Sequence, residues 1–277
     1  MALTKVWFVT GASRGFGRIW TEAALKRGDR VVATARNPEA LDDLVLAYGR
    51  SVLALPLDVT DRDAVFAAVR QGHDYFGALD IVLPVAGYGY MGAIEELEFE
   101  QIRANFETNI FGTLSVIQAA LPILRAQSSG HILTVSSIGG VNGFPTGGSY
   151  TASKFAIEAM TEALASEVAP HGIKVTIIEP GQFATEFRAS SKSAPPLPAY
   201  DPVRQAIRAS FAGDYGDPKA TAGAIFAAVD AKAPPLRLVL GSTTIPKFRA
   251  TYQARLDTWD KWEAVSNAAQ GSQGFAS

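Results

Sequence analysis

Apolar residues along this chain alternate between two patterns. Short, mostly apolar runs rich in β-branched residues occur at Val6–Val9, Arg30–Thr34, Val52–Leu55, Ile81–Leu83, His131–Val135 and Lys174–Ile178. Runs without a polar face mark strands covered on both sides, as in parallel sheets. Helical spacing fills the intervals at Gly17–Arg27, Pro38–Tyr48, Asp61–Phe76, Glu100–Ala126 and Tyr150–Val168. This βα alternation predicts an α/β fold, a doubly wound parallel sheet of Rossmann-like type forming one domain over residues 1–277. A helix near Ala220–Val229 and an apolar run at Leu236–Leu240 predict one further edge strand. A last helix is expected over Pro246–Val265, its Trp259 and Trp262 packing on the body or on a partner subunit.

The pattern breaks once, between Arg188 and Pro218. Ser190-Ser191-Lys192-Ser193 interrupts the register, Pro195, Pro196, Pro198, Pro202 and Pro218 follow, and a short amphipathic piece runs from Pro202 to Phe211. Proline cannot donate to a sheet ladder, and an insertion at about residues 188–217 is either a lid or a disordered loop; a lid is expected. Its Leu197, Tyr200, Ile207 and Phe211, with the preceding Phe187, are expected to close over an apolar ligand.

Charge narrows the function classes. With 25 Lys+Arg against 27 Asp+Glu, the net charge of −2 excludes a strongly basic nucleic-acid binder and an acidic disordered chain. The absence of cysteine excludes disulfides, thiolate metal sites and thiol catalysis. His73, His131 and His171 are scattered without carboxylates at ligand spacing, so no metal is expected. No run of about 18 uninterrupted apolar residues occurs, and a cytoplasmic protein without membrane or nucleic-acid partners is expected.

The first strand runs into Thr10-Gly11-Ala12-Ser13-Arg14-Gly15-Phe16-Gly17 and then into a helix. Gly11, Gly15 and Gly17 permit a tight turn, a bare backbone for pyrophosphate and close helix–strand packing. The helix N-terminus adds free N–H groups and a positive dipole end. A dinucleotide site is predicted; the alternative is an ordinary glycine-rich turn. The second strand ends Thr34-Ala35-Arg36-Asn37, without the carboxylate that would hold a ribose 2′-hydroxyl. Arg36 and Arg14 suit a 2′-phosphate instead, which favours NADP(H).

Tyr150 and Lys154 stand four apart on a predicted helix, hence on one face. Thirteen residues upstream of Tyr150, Ser137 ends the fifth strand. Reducing a carbonyl requires a proton donor for the developing alkoxide and a group that polarises the oxygen. A phenol beside an ammonium and a serine hydroxyl supply both. Tyr88, Tyr90 and Met91 after the fourth strand, Phe144, and Phe183 with Phe187 are candidate walls of the substrate pocket, as is Tyr200.

With these motifs in place, residues 4–187 resemble the short-chain dehydrogenase/reductase family. Thr10–Gly17 matches its glycine motif, Leu57-Asp58-Val59-Thr60 its adenine-side motif and Tyr150 with Lys154 its Tyr-x-x-x-Lys. The resemblance implies Tyr150 as general acid/base, Ser137 as ligand of the substrate oxygen, and Lys154 as ribose ligand and modulator of Tyr150. It also implies a fourth member, Asn109, holding a water that links Lys154 to a proton relay; Asn109 alone reads as a polar residue in an apolar helix. Asp58 and Val59, the Pro180-Gly181 segment with Phe183, and Thr185 are implied cofactor contacts. Pro84-Val85-Ala86-Gly87 departs from the family's Asn-Asn-Ala-Gly, keeping only Ala86 and Gly87 for close cofactor approach.

The expected function is NADPH-dependent reduction of a ketone or aldehyde. An oxidative alcohol or steroid-type dehydrogenase and a non-catalytic NADP-binding sensor are the alternatives. The resemblance implies that the long helices Glu100–Ala126 and Tyr150–Val168 pair across subunits, and their Phe106, Ile110, Phe111, Ile157 and Met160 exceed what one sheet face needs, so a homodimer or homotetramer is expected.

Overall fold

The computed structural model describes residues 4–210, 213 and 215–271, so Phe211 lies outside the described residues. Seven strands form one parallel sheet: β1 (Val6–Thr10), β2 (Arg30–Ala35), β3 (Val52–Pro56), β4 (Ile81–Pro84), β5 (Gly130–Val135), β6 (Ile173–Pro180) and β7 (Arg237–Leu240). Their order is β3-β2-β1-β4-β5-β6-β7, so the chain reverses direction between β1 and β4. Ligands in such sheets bind outside the carboxyl ends at that reversal.

Alternation along each strand builds two cores. Trp7 and Val9 of β1 join Val31, Ile81, Leu83, Leu133 and Ile178 on one face. Val6 and Phe8 join Val32, Val82, Ile132 and Val175 on the other. Helices cover both faces: α1 (Gly15–Lys26), α2 (Asp42–Tyr48), α3 (Arg62–Phe76), α4 (Phe99–Gln127), α5 (Gly148–Val168) and α7 (Thr221–Asp230), while α6 (Asp201–Ser210) and α8 (Thr244–Ala269) add nothing to the two cores. By length and composition α4 could cross a membrane, but its Val116, Ile117, Ala120 and Leu124 are packed in the core.

The expected strands and helices are all present, most with ends shifted by a few residues. The stretch 188–217 holds more local order than its prolines suggested. Lys192–Ser193 pairs in parallel with Tyr90–Met91 in a separate two-stranded ladder, just before the proline run. α6 occupies the amphipathic piece. Two residues expected on an intersubunit face, Ile110 and Ile157, are instead buried within this chain, because both turn inward from their helices. Phe111 is exposed.

Candidate active site

The strand ends frame a cleft of about 1340 Å³. At its cofactor side, the turn after β1 places Gly11 with φ +68°, a left-handed conformation that disfavours side chains, and a Cβ there would lie 3.0 Å from Ala86 Cα. Gly17 does not line the cleft; a Cβ on it would sit 2.3 Å from the Gly11 carbonyl oxygen, so its bareness lets α1 start against the turn. Gly11, Ser13, Arg14, Gly15 and Phe16 line the cleft, with Arg36, Asp58, Val59, Ala86 and Gly87 across from them. Phe16 stacks on Trp20 at 4.8 Å and meets Phe183 edge-on at 5.5 Å. Pro180, Gly181, Phe183 and Thr185 complete this side.

At the free N-terminus of α1, the Gly15 N–H donates to a carboxylate oxygen of Glu186 at 3.1 Å. An anion therefore already sits where a dinucleotide's pyrophosphate would be held, and the bare turn fits that group. Sequence reasoning missed Glu186, whose only signal was its place one residue beyond Thr185.

Ser137, Tyr150 and Lys154 meet in the cleft. β5 ends at Val135, so Ser137 projects beyond the sheet edge, its hydroxyl accepting the Gly139 N–H at 3.1 Å. α5 presents Tyr150 and Lys154 one turn apart, both lining the cleft. The Lys154 ammonium donates to the Val135 carbonyl at 2.8 Å and lies 5.8 Å from the centre of the Tyr150 ring. Burial pushes the Tyr150 phenol up to about 12, opposed by its hydrogen bond with Ser137. Burial lowers the Lys154 ammonium to about 8, with the nearby Glu158 carboxylate working the other way. At neutral pH the phenol keeps its proton and most of the ammonium remains charged.

Asn109 lies on a π-helical stretch of α4, Glu107–Gly112, and is fully buried. Such bulges turn a side chain out of regular register. Its carboxamide oxygen accepts the Tyr88 N–H at 3.0 Å, while its amide donates to the Tyr88 carbonyl and to the Ser153 hydroxyl, each at 3.0 Å. Asn105, one turn earlier, donates to the same carbonyl at 2.8 Å. Both asparagines thus pin the Gly87-Tyr88 backbone beside Lys154; the i, i+4 spacing was the overlooked sign of Asn105.

Tyr88, Phe144 and Phe187 line the cleft, and the Phe187 ring lies 5.2 Å from that of Tyr150. Tyr90 and Tyr200 do not, which corrects their assignment to the pocket wall. Tyr90 is buried, its hydroxyl accepting the Glu98 N–H at 3.1 Å, because the small ladder turns it inward. The Tyr200 hydroxyl donates to Glu95 on the outer side of the cover. The cover is fastened by Glu96, which sequence reasoning also missed. One carboxylate oxygen accepts the Leu197 N–H at 2.7 Å and the Arg204 guanidinium; the other accepts the Ala93 N–H at 2.7 Å. No cluster of potential metal ligands is found among the described residues.

A short chain dehydrogenase family model matches residues 5–196, which spans the glycine turn and the Ser137, Tyr150 and Lys154 centre. The chain belongs to the short chain dehydrogenase family. Oxidoreductase BOA17 of Botryotinia fuckeliana is 38% identical over 273 residues, covering 96% of this chain and 100% of that protein. A short-chain dehydrogenase from Streptomyces avermitilis has a similar structure, with a TM-score of 0.90 and 39% identity over 97% of this chain and 99% of that one. Two more distant structures differ in the cofactor they carry. A Burkholderia phymatum enzyme holds NAD (TM-score 0.80, 25% identity, 93% and 94% of the two chains). A Burkholderia cenocepacia enzyme holds NADP (TM-score 0.75, 27% identity, 93% and 97%). This short chain dehydrogenase is thus an oxidoreductase, and its structural relatives have been seen with either NAD or NADP bound.

Proposed function

We propose that the protein is an NADPH-dependent carbonyl reductase acting on ketones or aldehydes with an apolar body. The observation that carries the cofactor choice is the pair of exposed guanidiniums of Arg14 and Arg36, both lining the cleft. Among the described residues neither lies within ion-pair distance of a carboxylate, and β2 ends without an acidic residue. Such a pair matches a 2′-phosphate, to which each charged hydrogen bond contributes about 1.5–3 kcal/mol.

Reduced nicotinamide, when bound, supplies the hydride. The chain does the rest. Tyr150 holds its proton at neutral pH and delivers it to the carbonyl oxygen as negative charge develops there, while the Ser137 hydroxyl keeps that oxygen in place. The Lys154 ammonium, anchored to the Val135 carbonyl, stabilises the phenolate left behind. Phe144 and Phe187 keep water from the reacting carbon. The same groups serve the reaction in both directions, with Tyr150 as acid in one and base in the other; the reductive direction is inferred from the 2′-phosphate cofactor.

The test is NADPH oxidation across aliphatic, aryl and polycyclic ketones, with NADH as control, in the natural protein and in Arg36→Ala. The substitution should weaken NADPH binding by about 10- to 100-fold and barely change NADH binding. Equal losses with both cofactors would remove the 2′-phosphate assignment, and no turnover on any carbonyl would remove the reductase.

A further inference from the structure

α8 is a 26-residue helix of which only Thr244 and Phe248 are buried. Its first half is tied to the body by Phe248 and by Arg255, whose guanidinium donates to the Val141 carbonyl at 2.6 Å. From Leu256 to Ala269 every residue is exposed. At 1.5 Å per residue this is a projection of about 20 Å. A lone helical arm of that length is marginal in water, since most helical stability comes from packing an amphipathic face.

The arm is not dressed for water. Ile245, Tyr252, Leu256 and Trp259 continue one stripe at helical spacing, with Trp262 at its margin, and their exposures run from 45% at Ile245 and Leu256 to 63% at Trp259. The stripe lies beside the face that packs on the body through Thr244 and Phe248, stays open along the whole helix, and past the body's edge carries two exposed tryptophans. Charge divides along the same helix. Lys247, Arg249 and Arg255 lie in the first half; Asp257, Asp260 and Glu263, with the single basic Lys261, lie in the second.

We propose that this stripe is covered by α8 of a second copy of the chain, the two helices antiparallel about a two-fold axis near Leu256. An antiparallel pair sets each basic first half against the partner's acidic second half, whereas a parallel pair would oppose like charges. With Leu256 on the axis, Arg249 faces Glu263 of the other copy and Tyr252 faces Asp260. The projecting tryptophans then lie along the other copy's anchored half. The inference does not depend on the cofactor or substrate reading, because α8 contributes no residue to the cleft.

The chain has no cysteine, so a single introduced thiol reports the pairing without background. Under mild oxidation, Leu256→Cys should give a covalent dimer on a non-reducing gel. Val265→Cys should not, because antiparallel helices carry that position to opposite ends. Trp259→Asp/Trp262→Asp should halve the mass found by light scattering at micromolar concentration while NADPH binding is kept as a check on folding. Arg249→Glu should weaken association, and adding Glu263→Arg should restore it. A monomeric natural protein, cross-linking through Val265→Cys, or an unchanged mass in the double tryptophan variant would each overturn the proposal.

Discussion

The floor and the cover of the cleft are built by different means. The floor consists of strand ends and the first turns of α1 and α5, fixed by the sheet ladder and by two apolar cores. The cover, residues 187–210, has no buried residue in its helical elements and is fixed by the two-residue Lys192–Ser193 ladder and by a few side chains distant in sequence: Glu96 with Leu197 and Arg204, Tyr200 with Glu95, and Lys192 with Gln101. A floor held by many cooperative backbone contacts keeps reacting groups in place. A cover held by a handful of polar contacts can open for substrate, since local opening costs least where apolar burial is small.

Breaking the chemistry of the floor should have the largest effect. Tyr150→Phe keeps the buried ring against Phe187 and removes the proton donor, so turnover should fall at least about a hundredfold, the scale of general-acid catalysis. NADPH affinity, read by fluorescence titration, should stay the same. Near-normal turnover would displace Tyr150 from its role.

Loosening the cover should act on substrate alone. Glu96→Gln leaves the Arg204 guanidinium facing an uncharged amide and weakens the acceptor of the Leu197 N–H. The Michaelis constant for bulky ketones should rise about tenfold, while small ketones and NADPH are little affected. Steady-state kinetics with two ketones of different bulk decide this, and a uniform loss for both would mean that Glu96 supports the floor as well.

Stability of the floor should carry a pH signature on the alkaline side. Glu179 on β6 is buried, and burial together with the neighbouring Glu158 raises its carboxyl to about 8, with Arg237 pulling the other way. The folded protein therefore holds a proton that the unfolded chain, near 4.5, releases. Stability from this group is present below about pH 4.5 and lost as pH rises through 8. Glu179→Gln should leave the melting temperature nearly unchanged at pH 5 and raise it at pH 9, on the order of 2 kcal/mol in stability. An equal change at both pH values would show that its proton is not linked to folding.

The smallest effect is expected at the seam between the regions. Glu186 precedes the cover and occupies the Gly15 N–H of the floor. Removing its charge in Glu186→Gln should tighten NADPH binding about threefold, because phosphate no longer competes with a carboxylate for that donor. Weaker binding would instead make Glu186 a cofactor ligand.

How much was legible beforehand follows the same division. The seven strands, the glycine turn and the Ser137, Tyr150, Lys154 set are encoded locally, by runs of apolar residues, by glycine spacing and by a one-turn separation on a helix. Each survives as a pattern in sequence because its cause lies within a few residues. Tyr90 and Tyr200 were misplaced because a two-residue ladder and a contact across the cover decide their direction, and neither leaves a periodic mark. Glu96, 101 residues from Leu197, and Glu186, 171 residues from Gly15, were invisible for the same reason.

The sequence by itself determined the parallel sheet, the family and the Ser137, Tyr150 and Lys154 set, because burial on both faces and fixed turn geometry restrict residue types position by position. Only the tertiary structure decided which aromatic rings face the cleft, what fastens the cover and where α8 leaves the body. Those outcomes depend on contacts between distant segments, where one carboxylate or one exposed tryptophan takes its meaning from whatever the fold brings beside it.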